Sequence, residues 1–421
     1  MSHVHATARQ SFLAVATTLL LILALPGLAA AHGKGSDRGG SRHPVAHHPP
    51  AHGHGHPGNG HPGRGGDHGR GEVVNTMTRN LYLGADLAPA IGAPSLEAFV
   101  AATGKILREV SANDFPTRAK GLAQEILKEK PDLVGLQEVA LWRTGPPSLA
   151  PVLSGEPTAT TVRYDYLQLL LEQLNKGKTQ YEVVVSQNEF DLEAPGDENG
   201  IPGDGPAAQG IPNAEINGRL TMRDVILVRR GCGVQTANPT SGNFKTLLAV
   251  PILGKPLTIK RGWTATDAKV RGGGWFHFVN THLEAFDPAT LVPSIRALQA
   301  GELVAPGGPA TSSLPVVLVG DLNSDDDTVE PGDAQAYLAL LQAGFAERST
   351  NVPLGCCLRS SLLAEGAGGS VADFDHQVDH VMTNDPADIA LQHSEVTGLL
   401  PVDGFWDSDH AGLFSALRFE R

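Results

Sequence analysis

The chain is predicted to fold as α/β, with a pair of packed β-sheets flanked by helices. Three observations predict it. Apolar, β-branched runs of strand length outnumber the helical stripes and interleave with them. No glycine-rich phosphate loop follows the first run, which disfavours a doubly wound nucleotide-binding sheet. Several runs end in acids, amides or histidines, which places polar chemistry where rigid strands meet loops.

The first 70 residues stand outside that fold. Residues 1–31 read as a secretory signal: Arg9 is the basic start, Phe12 to Leu25 is an apolar run short of bilayer length, and Ala29, Ala30 and Ala31 form a small-residue cleavage site. The protein is therefore expected to be secreted, with no later segment apolar enough to cross a membrane. Residues 32–70 are Gly, His and Pro with a few Arg, a composition that cannot bury apolar surface and is expected to stay disordered. Within it, alternating His52, His54 and His56 can bind metal incidentally. Residues 71–421 remain for the folded domain.

The elements follow in order. "VVNTMTRNLYL" (73–83) is a first strand. Residues 117–130 form a helix, because Ala119, Leu122, Ala123, Ile126 and Leu127 fall on one stripe and Pro131 ends it. "DLVGLQEVAL" (132–141) gives a short strand ending at Gln137 and Glu138, and residues 164–174 a second helix. "YEVVVSQ" (181–187) is a strand. Residues 189–221, rich in Gly, Pro, Asn and Asp, read as a surface insertion. "RDVILVRR" (223–230) and "WFHFVNTHL" (275–283) are strands, 290–303 a helix, and "PVVLV" (315–319) a strand. "AYLALLQAGF" (336–345) is helical. "DHQVDHVMTN" (375–384) and "GLFSALRFE" (412–420) close the series as strands.

Bulk properties exclude some roles. A formal net charge of −13 disfavours binding bulk nucleic acid by counterion release. Cys232, Cys356 and Cys357 make no disulfide framework. A bridge from Cys232 to either neighbour would leave one thiol over, and the spacing does not suit a structural zinc.

The strand at 315–319 runs straight into Asp321, Asn323, Asp325, Asp326 and Asp327. A calcium loop would need glycine where Asp326 stands and glutamate where Gly332 stands, so that reading fails. Other strand tips carry Glu138 and His282. Asp379 lies within "QVDHVM", and Asp409 and His410 precede the last strand. Singly each has a plainer reading: an exposed strand end, a structural histidine, a turn. Together they supply hard oxygen ligands for Mg2+ or a similar ion and two imidazoles for proton transfer. That combination suits hydrolysis of a phosphate ester.

"TRNLYLG", "LQEV", "NTHL", "GDLN", "VDHV" and "SDHAGL", in this order, resemble the endonuclease/exonuclease/phosphatase superfamily over nearly the whole folded part. The resemblance implies a four-layer α-β-β-α sandwich with two central, mainly antiparallel sheets, and a divalent-metal phosphohydrolase. Glu138 then falls on the metal-ligand glutamate, with Asp409 and Asn80 near the metal and phosphate. His282 falls on the histidine that contacts the phosphate or protonates the leaving group. Asp321 and Asn323 fall on the pair that positions water or phosphate, and His410 on the histidine oriented by Asp379. His380 stands where many relatives have an aromatic residue. Asp325, Asp326 and Asp327 match no motif and are expected to be a solvated loop. The base is His410 or Asp321. His410 is favoured, since an aspartate of ordinary pKa is a weak base at neutral pH.

The expected cofactor is Mg2+, with Mn2+ or Ca2+ as alternatives. The expected partner is a phosphate ester: nucleic acid, a phospholipid head group or a small phosphoester, with a phosphodiester favoured over a monoester. No protein partner is indicated. A non-catalytic metal-binding protein built on the His-rich segment is the reading from another class.

Overall fold

The computed structural model describes residues 72–419, apart from 202, 205–209, 287–290, 327–333, 366–368 and 386–387. The expected signal and His-rich segments lie outside the described residues. Among the described residues, no helix is long and apolar enough to cross a membrane.

The first half of the chain carries β1 (Glu72–Asn80), α1 (Ala88–Ile91), α2 (Leu96–Ala112), α3 (Phe115–Glu129), β2 (Leu133–Gln137), β3 (Leu141–Gly145), α4 (Ala150–Ser154), β4 (Thr161–Asp165), α5 (Tyr166–Leu174), β5 (Tyr181–Gly196) and β6 (Ile216–Arg229). The second half carries β7 (Val234–Asn243), β8 (Leu248–Ile252), β9 (Lys255–Ile259), β10 (Gly262–Val270), β11 (Trp275–His282), α6 (Ile295–Val304), β12 (Val316–Asp321), α7 (Gln335–Gln342), β13 (Ala346–Glu347), β14 (Asp379–Thr383), β15 (Ile389–Thr397) and β16 (Gly412–Phe419).

One sheet runs β15-β16-β1-β2-β6-β3-β4, with β5 also paired to β6, and the other runs β13-β14-β12-β11-β10-β7. Only β1–β2 and β11–β12 are parallel among the pairs of these two sheets. Strand alternation sorts side chains into three apolar layers. On β1, Val74 joins the layer between the sheets and Met77 the layer under the helices. The between-sheet layer holds Leu133, Ile226, Phe276, Phe278, Val317, Val319 and Leu413. Residues of α2, α3 and α5 cover the first sheet, and Ala300, Leu303, Ala336 and Leu340 of α6 and α7 cover the second. Three cores between four layers is the α-β-β-α sandwich expected. At Gly135 the sheets approach so closely that a Cβ would lie 2.5 Å from Val319 Cγ2 and 2.6 Å from Asn280 Oδ1.

The structure corrects several expectations. The segment 189–221 is not one surface insertion, because its two ends are the paired strands β5 and β6, which share a ladder from Tyr181–Arg229 to Gly196–Ile216. Helix α6 begins at Ile295 rather than 290, capped by Ser294, whose side chain accepts from Ala297 N. Strand β14 begins at Asp379, and 375–378 are loop. Helix α2 was not anticipated. The disulfide, whose pairing the sequence left open, joins the neighbours Cys356 and Cys357 and leaves Cys232 free.

Candidate active site

Three strands place three functional side chains in a row. The parallel register pairs His282 with Asp321, and the antiparallel register pairs Asp321 with Asp379. Registered partners point to one face, here the face toward the other sheet. That sheet contributes Asn80 at the end of β1, level with Gln137 at the end of β2. Glu138 follows directly with φ +53°, a left-handed turn uncommon for a glutamate.

The sheets meet through a buried polar chain. Thr78 exchanges hydrogen bonds with Gln137, and Gln137 Nε2 donates to Asn280 Oδ1 at 2.6 Å. One step outward, Asn80 Nδ2 donates to Asp321 Oδ2 at 2.9 Å, while Asn80 Oδ1 accepts from Tyr82 N at 2.8 Å. Both ends of this amide are engaged, so it orients Asp321. Asn323 holds Asp321 through its backbone: its N–H donates to Asp321 Oδ1 at 2.9 Å, and its side chain donates to Leu283 O at 3.1 Å.

Asp379 and His410 form a close pair, with Nδ1 and Oδ2 2.7 Å apart and both side chains buried. The opposite ring nitrogen, Nε2, lies 3.8 Å from Asp321 Oδ2. Burial alone would lower the His410 pKa, but the carboxylates of Asp379, Asp321 and Asp409 outweigh it and hold the imidazole well above its ordinary value. Burial works against ionisation of Asp321. The neighbouring imidazoles and its hydrogen bonds win, and its carboxyl titrates below the usual range.

His282 sits with Nε2 3.5 Å from Asp321 Oδ2. Arg261 Nη1 approaches its ring nitrogens at 3.1 and 3.3 Å. Burial and the Arg261 charge push the His282 pKa down to about 3, so it is neutral at physiological pH and can act only as a neutral N–H donor or acceptor.

Glu138, Asp409 and Arg261 line a cleft of about 370 Å³, with Tyr82, Phe190 and Met222 among its apolar walls. Glu138 Oε2 accepts from Leu83 N at 2.7 Å. Burial, then the charge of Asp409, raises the Glu138 pKa to about 7. Two carboxyls crowded in one cleft and each raised are the donor set a hard divalent cation fits, and the hard oxygen atoms match Mg2+, Mn2+ or Ca2+. Asp321, Asp379 and His410 also offer ligand atoms within 4.8 Å of one another.

Two buried arginines brace this end of the fold. Arg79 donates to His410 O and holds Glu125 at 2.9 Å. Arg118 donates to the carbonyls of Asp407, Leu81, Tyr82 and Asn113. Together they fix the loop that presents Asp409 and His410.

All the site residues expected from sequence converge here. Asp325 does not fit the solvated-loop expectation: it is buried, 3.2 Å from His376 Nδ1, while Asp326 is exposed and Asp327 lies outside the described residues. His380 faces the outer layer, held by Glu347 at 2.6 Å and Ser324 O at 2.9 Å. Sequence reasoning missed Arg261 and the buried carboxyls Glu189 and Asp224. Burial raises Asp224 to about 8 and Glu189 well above its ordinary range, with the Asp224 charge adding to the rise at Glu189. A lone "KRG" before a strand carries no signal that would have singled Arg261 out, but "RDV" placed an acid inside an apolar run and could have pointed to Asp224.

The model of the Endonuclease/Exonuclease/phosphatase family matches residues 77–410. None of the curated proteins compared with the chain matches it. Among solved structures, a Bacteroides thetaiotaomicron endonuclease/exonuclease/phosphatase family protein is similar over 84% of this chain and 100% of its own, at 14% identity and TM-score 0.48. A mannosyl-6-phosphatase from the same organism is similar over 82% of this chain and 100% of its own, at 15% identity and TM-score 0.46. D. rerio TDP2 complexed with a single-strand DNA product is similar over 82% and 99%, at 14% identity and TM-score 0.45.

Proposed function

Because the chain belongs to the endonuclease/exonuclease/phosphatase family of phosphate-ester hydrolases, we propose that it is a secreted, divalent-metal-dependent phosphodiesterase that attacks phosphorus in line with water. The observation that carries the reading is the Asp379–His410 pair at 2.7 Å, whose free nitrogen faces Asp321 at 3.8 Å beside the Glu138–Asp409 cleft.

Each residue has a derived task. Asp379 fixes the His410 tautomer with the lone pair on Nε2, which then takes the proton from water. Asp321, held by Asn80 and by the backbone of Asn323, orients that water. Neutral His282 donates an N–H toward the developing charge or the leaving oxygen. Glu138 and Asp409 would hold the cation, with Mg2+ the favoured ion. A bound divalent cation supplies positive charge that screens phosphate from the carboxylates and stabilises the crowded phosphorus centre. A cation held there would also offset the Asp409 charge, which is part of what raises the His410 pKa.

A diester is favoured over a monoester by the walls of the cleft. Arg261 is the one cationic side chain among its described lining, while Leu87, Ile91, Phe190, Met222, Ile259 and Phe286 offer apolar surface to a second ester substituent. Export rests on the sequence of residues 1–31.

The test is hydrolysis of bis-p-nitrophenyl phosphate, p-nitrophenyl phosphate, plasmid DNA, RNA and sphingomyelin with Mg2+, Mn2+ or Ca2+, and with EDTA. Metal-dependent cleavage of diesters, lost in Asp321→Ala and His410→Ala, is the expected result. Cleavage of the monoester alone would overturn the diester reading. Silence on every substrate from folded, metal-binding protein would overturn the enzyme reading.

A further inference from the structure

We propose that Cys356, Cys357 and His410 form a soft-metal site that opens when the disulfide is reduced, and that its occupation removes the proposed base from the reaction. The proposal rests on the preceding section only in naming His410 as that base.

The geometry comes from three directions. Both sulfurs lie 3.8 Å from His410 Nε2. Tetrahedral zinc with ordinary Zn–S and Zn–N bonds separates sulfur from nitrogen by about 3.6 Å and the two sulfurs by about 3.8 Å, so the sulfur–nitrogen spacing already fits and the sulfurs, joined in the disulfide, must part on reduction. His410 Nδ1 lies 2.7 Å from the Asp379 carboxylate, which leaves Nε2 as the nitrogen facing the sulfurs. A carboxylate behind the ring is the usual support of a metal-binding histidine, because it fixes the tautomer and raises the basicity of the ligating nitrogen.

The backbone holds the pieces together. Ala411 N donates to Gly355 O at 2.7 Å, and Leu358 N to Asp409 O at 2.8 Å. Asp375 N and His376 N both donate to Cys356 O, at 2.7 and 2.8 Å. The cysteine segment is thus stitched to the loop carrying His410 on one side and to the 375–376 loop on the other. Cys356 is buried while Cys357 is exposed, so an ion has a route in from solvent.

The donor set separates this site from the Glu138–Asp409 cleft. Two thiolates and an imidazole select Zn2+, Cd2+ or Cu+ over Mg2+, which prefers oxygen. In the oxidised chain the sulfurs are joined to each other and cannot act as thiolate ligands. An external thiol changes this by exchange: two R′SH are oxidised to R′S–SR′, and the Cys356–Cys357 bond is reduced to two thiols. On binding, each thiol and the protonated Nε2 of His410 give their protons to solvent, and the metal accepts an electron pair from each sulfur and from Nε2. Nε2 then no longer has a lone pair to take a proton from water. The oxidised protein should therefore tolerate soft metals, and the reduced protein should be inhibited by them.

The experiment titrates Cd2+ into the full chain, oxidised or reduced with dithiothreitol that is then removed under exclusion of air. The readout is the ultraviolet thiolate-to-cadmium charge-transfer band, which the histidines of residues 32–70 cannot produce. The reduced protein should develop the band with one equivalent of Cd2+. The oxidised protein and a reduced Cys356→Ser/Cys357→Ser variant should not. With Mg2+ in excess, the same equivalent should slow diester hydrolysis by the reduced protein at least tenfold, relative to its own rate without Cd2+. No band in reduced wild type, or a band of equal size in the double variant, overturns the proposal. If the double variant does not fold, the oxidised and reduced wild type still decide: equal bands overturn it. A cysteine-dependent band in a protein with no hydrolase activity keeps the site and sinks the enzyme reading. Full activity without any band does the reverse.

Discussion

Asp379→Asn isolates the element on which the proposed chemistry turns. The substitution keeps the shape of the side chain and removes its charge. In the wild type, Oδ2 lies 2.7 Å from His410 Nδ1, with the aspartate 1% and the histidine 6% exposed, so solvent screens little of the interaction. If the asparagine presents its oxygen, the tautomer survives and a charge-assisted hydrogen bond worth roughly 1.5–3 kcal/mol becomes a neutral one. If it presents its NH2 group, His410 must accept at Nδ1 and carry its proton on Nε2, where a base needs a lone pair. That inversion costs on the order of 10⁴-fold in hydrolases of similar logic. Among the described residues, Asp379 Oδ1 has no hydrogen-bond partner that would hold the new amide in the harmless orientation. We therefore expect kcat/KM to fall by about 10³- to 10⁴-fold, or ~4–5.5 kcal/mol of transition-state stabilisation. The assay is steady-state hydrolysis of bis-p-nitrophenyl phosphate at saturating Mg2+, with circular dichroism to confirm the fold. A folded variant within about tenfold of wild type, or ~1.4 kcal/mol, would refute the role given to this pair and move the base to Asp321.

Three further expectations test the scaffold and the cation cleft. Glu138→Gln should raise the Mg2+ concentration for half-maximal activity at least ~10-fold. In EDTA it should also change the pH dependence of stability: the wild-type carboxyl, raised to about 7 in the fold, favours the folded state below its unfolded value, and this contribution is lost as pH rises through about 7. The glutamine variant should not show that loss in thermal unfolding, and equal slopes would contradict it. Gly121→Ala would place a methyl 1.7 Å from Asp407 Oδ1, so the 407–410 loop must shift. The expected cost is about 1–3 kcal/mol in urea unfolding, with activity down by up to ~100-fold from misplacement of His410. Asn280→Val should cost about 1–3 kcal/mol, because Gln137 Nε2 then keeps only Thr78 as a partner inside the sandwich. A neutral result in urea unfolding would remove the polar chain from the account of how the sheets are held.

What the sequence made legible divides along physical lines. Strand β12 could be read because a strand buried on both faces is a continuous apolar run, and its polar tip stands out against it. The convergence of His282, Asp321, Asp379 and His410 was reached through motif resemblance, since no local pattern records which strand tips become neighbours. Helix α2 does carry a signal: Ser95 caps it, and Leu96, Phe99, Val100, Ile106, Leu107 and Val110 fall on one side. Gly104 interrupts the middle of it for a tertiary reason, as a Cβ there would lie 1.7 Å from Asp197 O. Arg261 escaped notice because its meaning depends on the β10–β11 register, which sets its neighbour Gly262 opposite His282. Asp325 misled for the same kind of reason. Its partner His376 is fifty-one residues away, and only a folded chain tells a buried acid from a solvated one in a row of acids.

The position of the site follows from the two parallel pairs. In each, both strands end at the same edge, so β1 and β2 deliver Asn80 and Glu138 together, and β11 and β12 deliver His282 and Asp321 together. The antiparallel partners of these strands must start at that edge, which is why Asp379 opens β14 and His410 stands just before β16. The Asn80–Asp321 hydrogen bond shows that the two edges coincide. Along the interface the side chains grade from Val74, Leu133, Phe276 and Val317, through Thr78, Gln137 and Asn280, to the ionisable set. Desolvation at the polar end is therefore imposed by the same close approach of the sheets, at Gly135, that builds the apolar end. Burial by that packing sets the direction of the shift at Glu138 and His282, while at Asp321 and His410 the neighbouring charges it brings together outweigh it; substitutions deep in the interface should therefore alter these titrations without touching a single site residue.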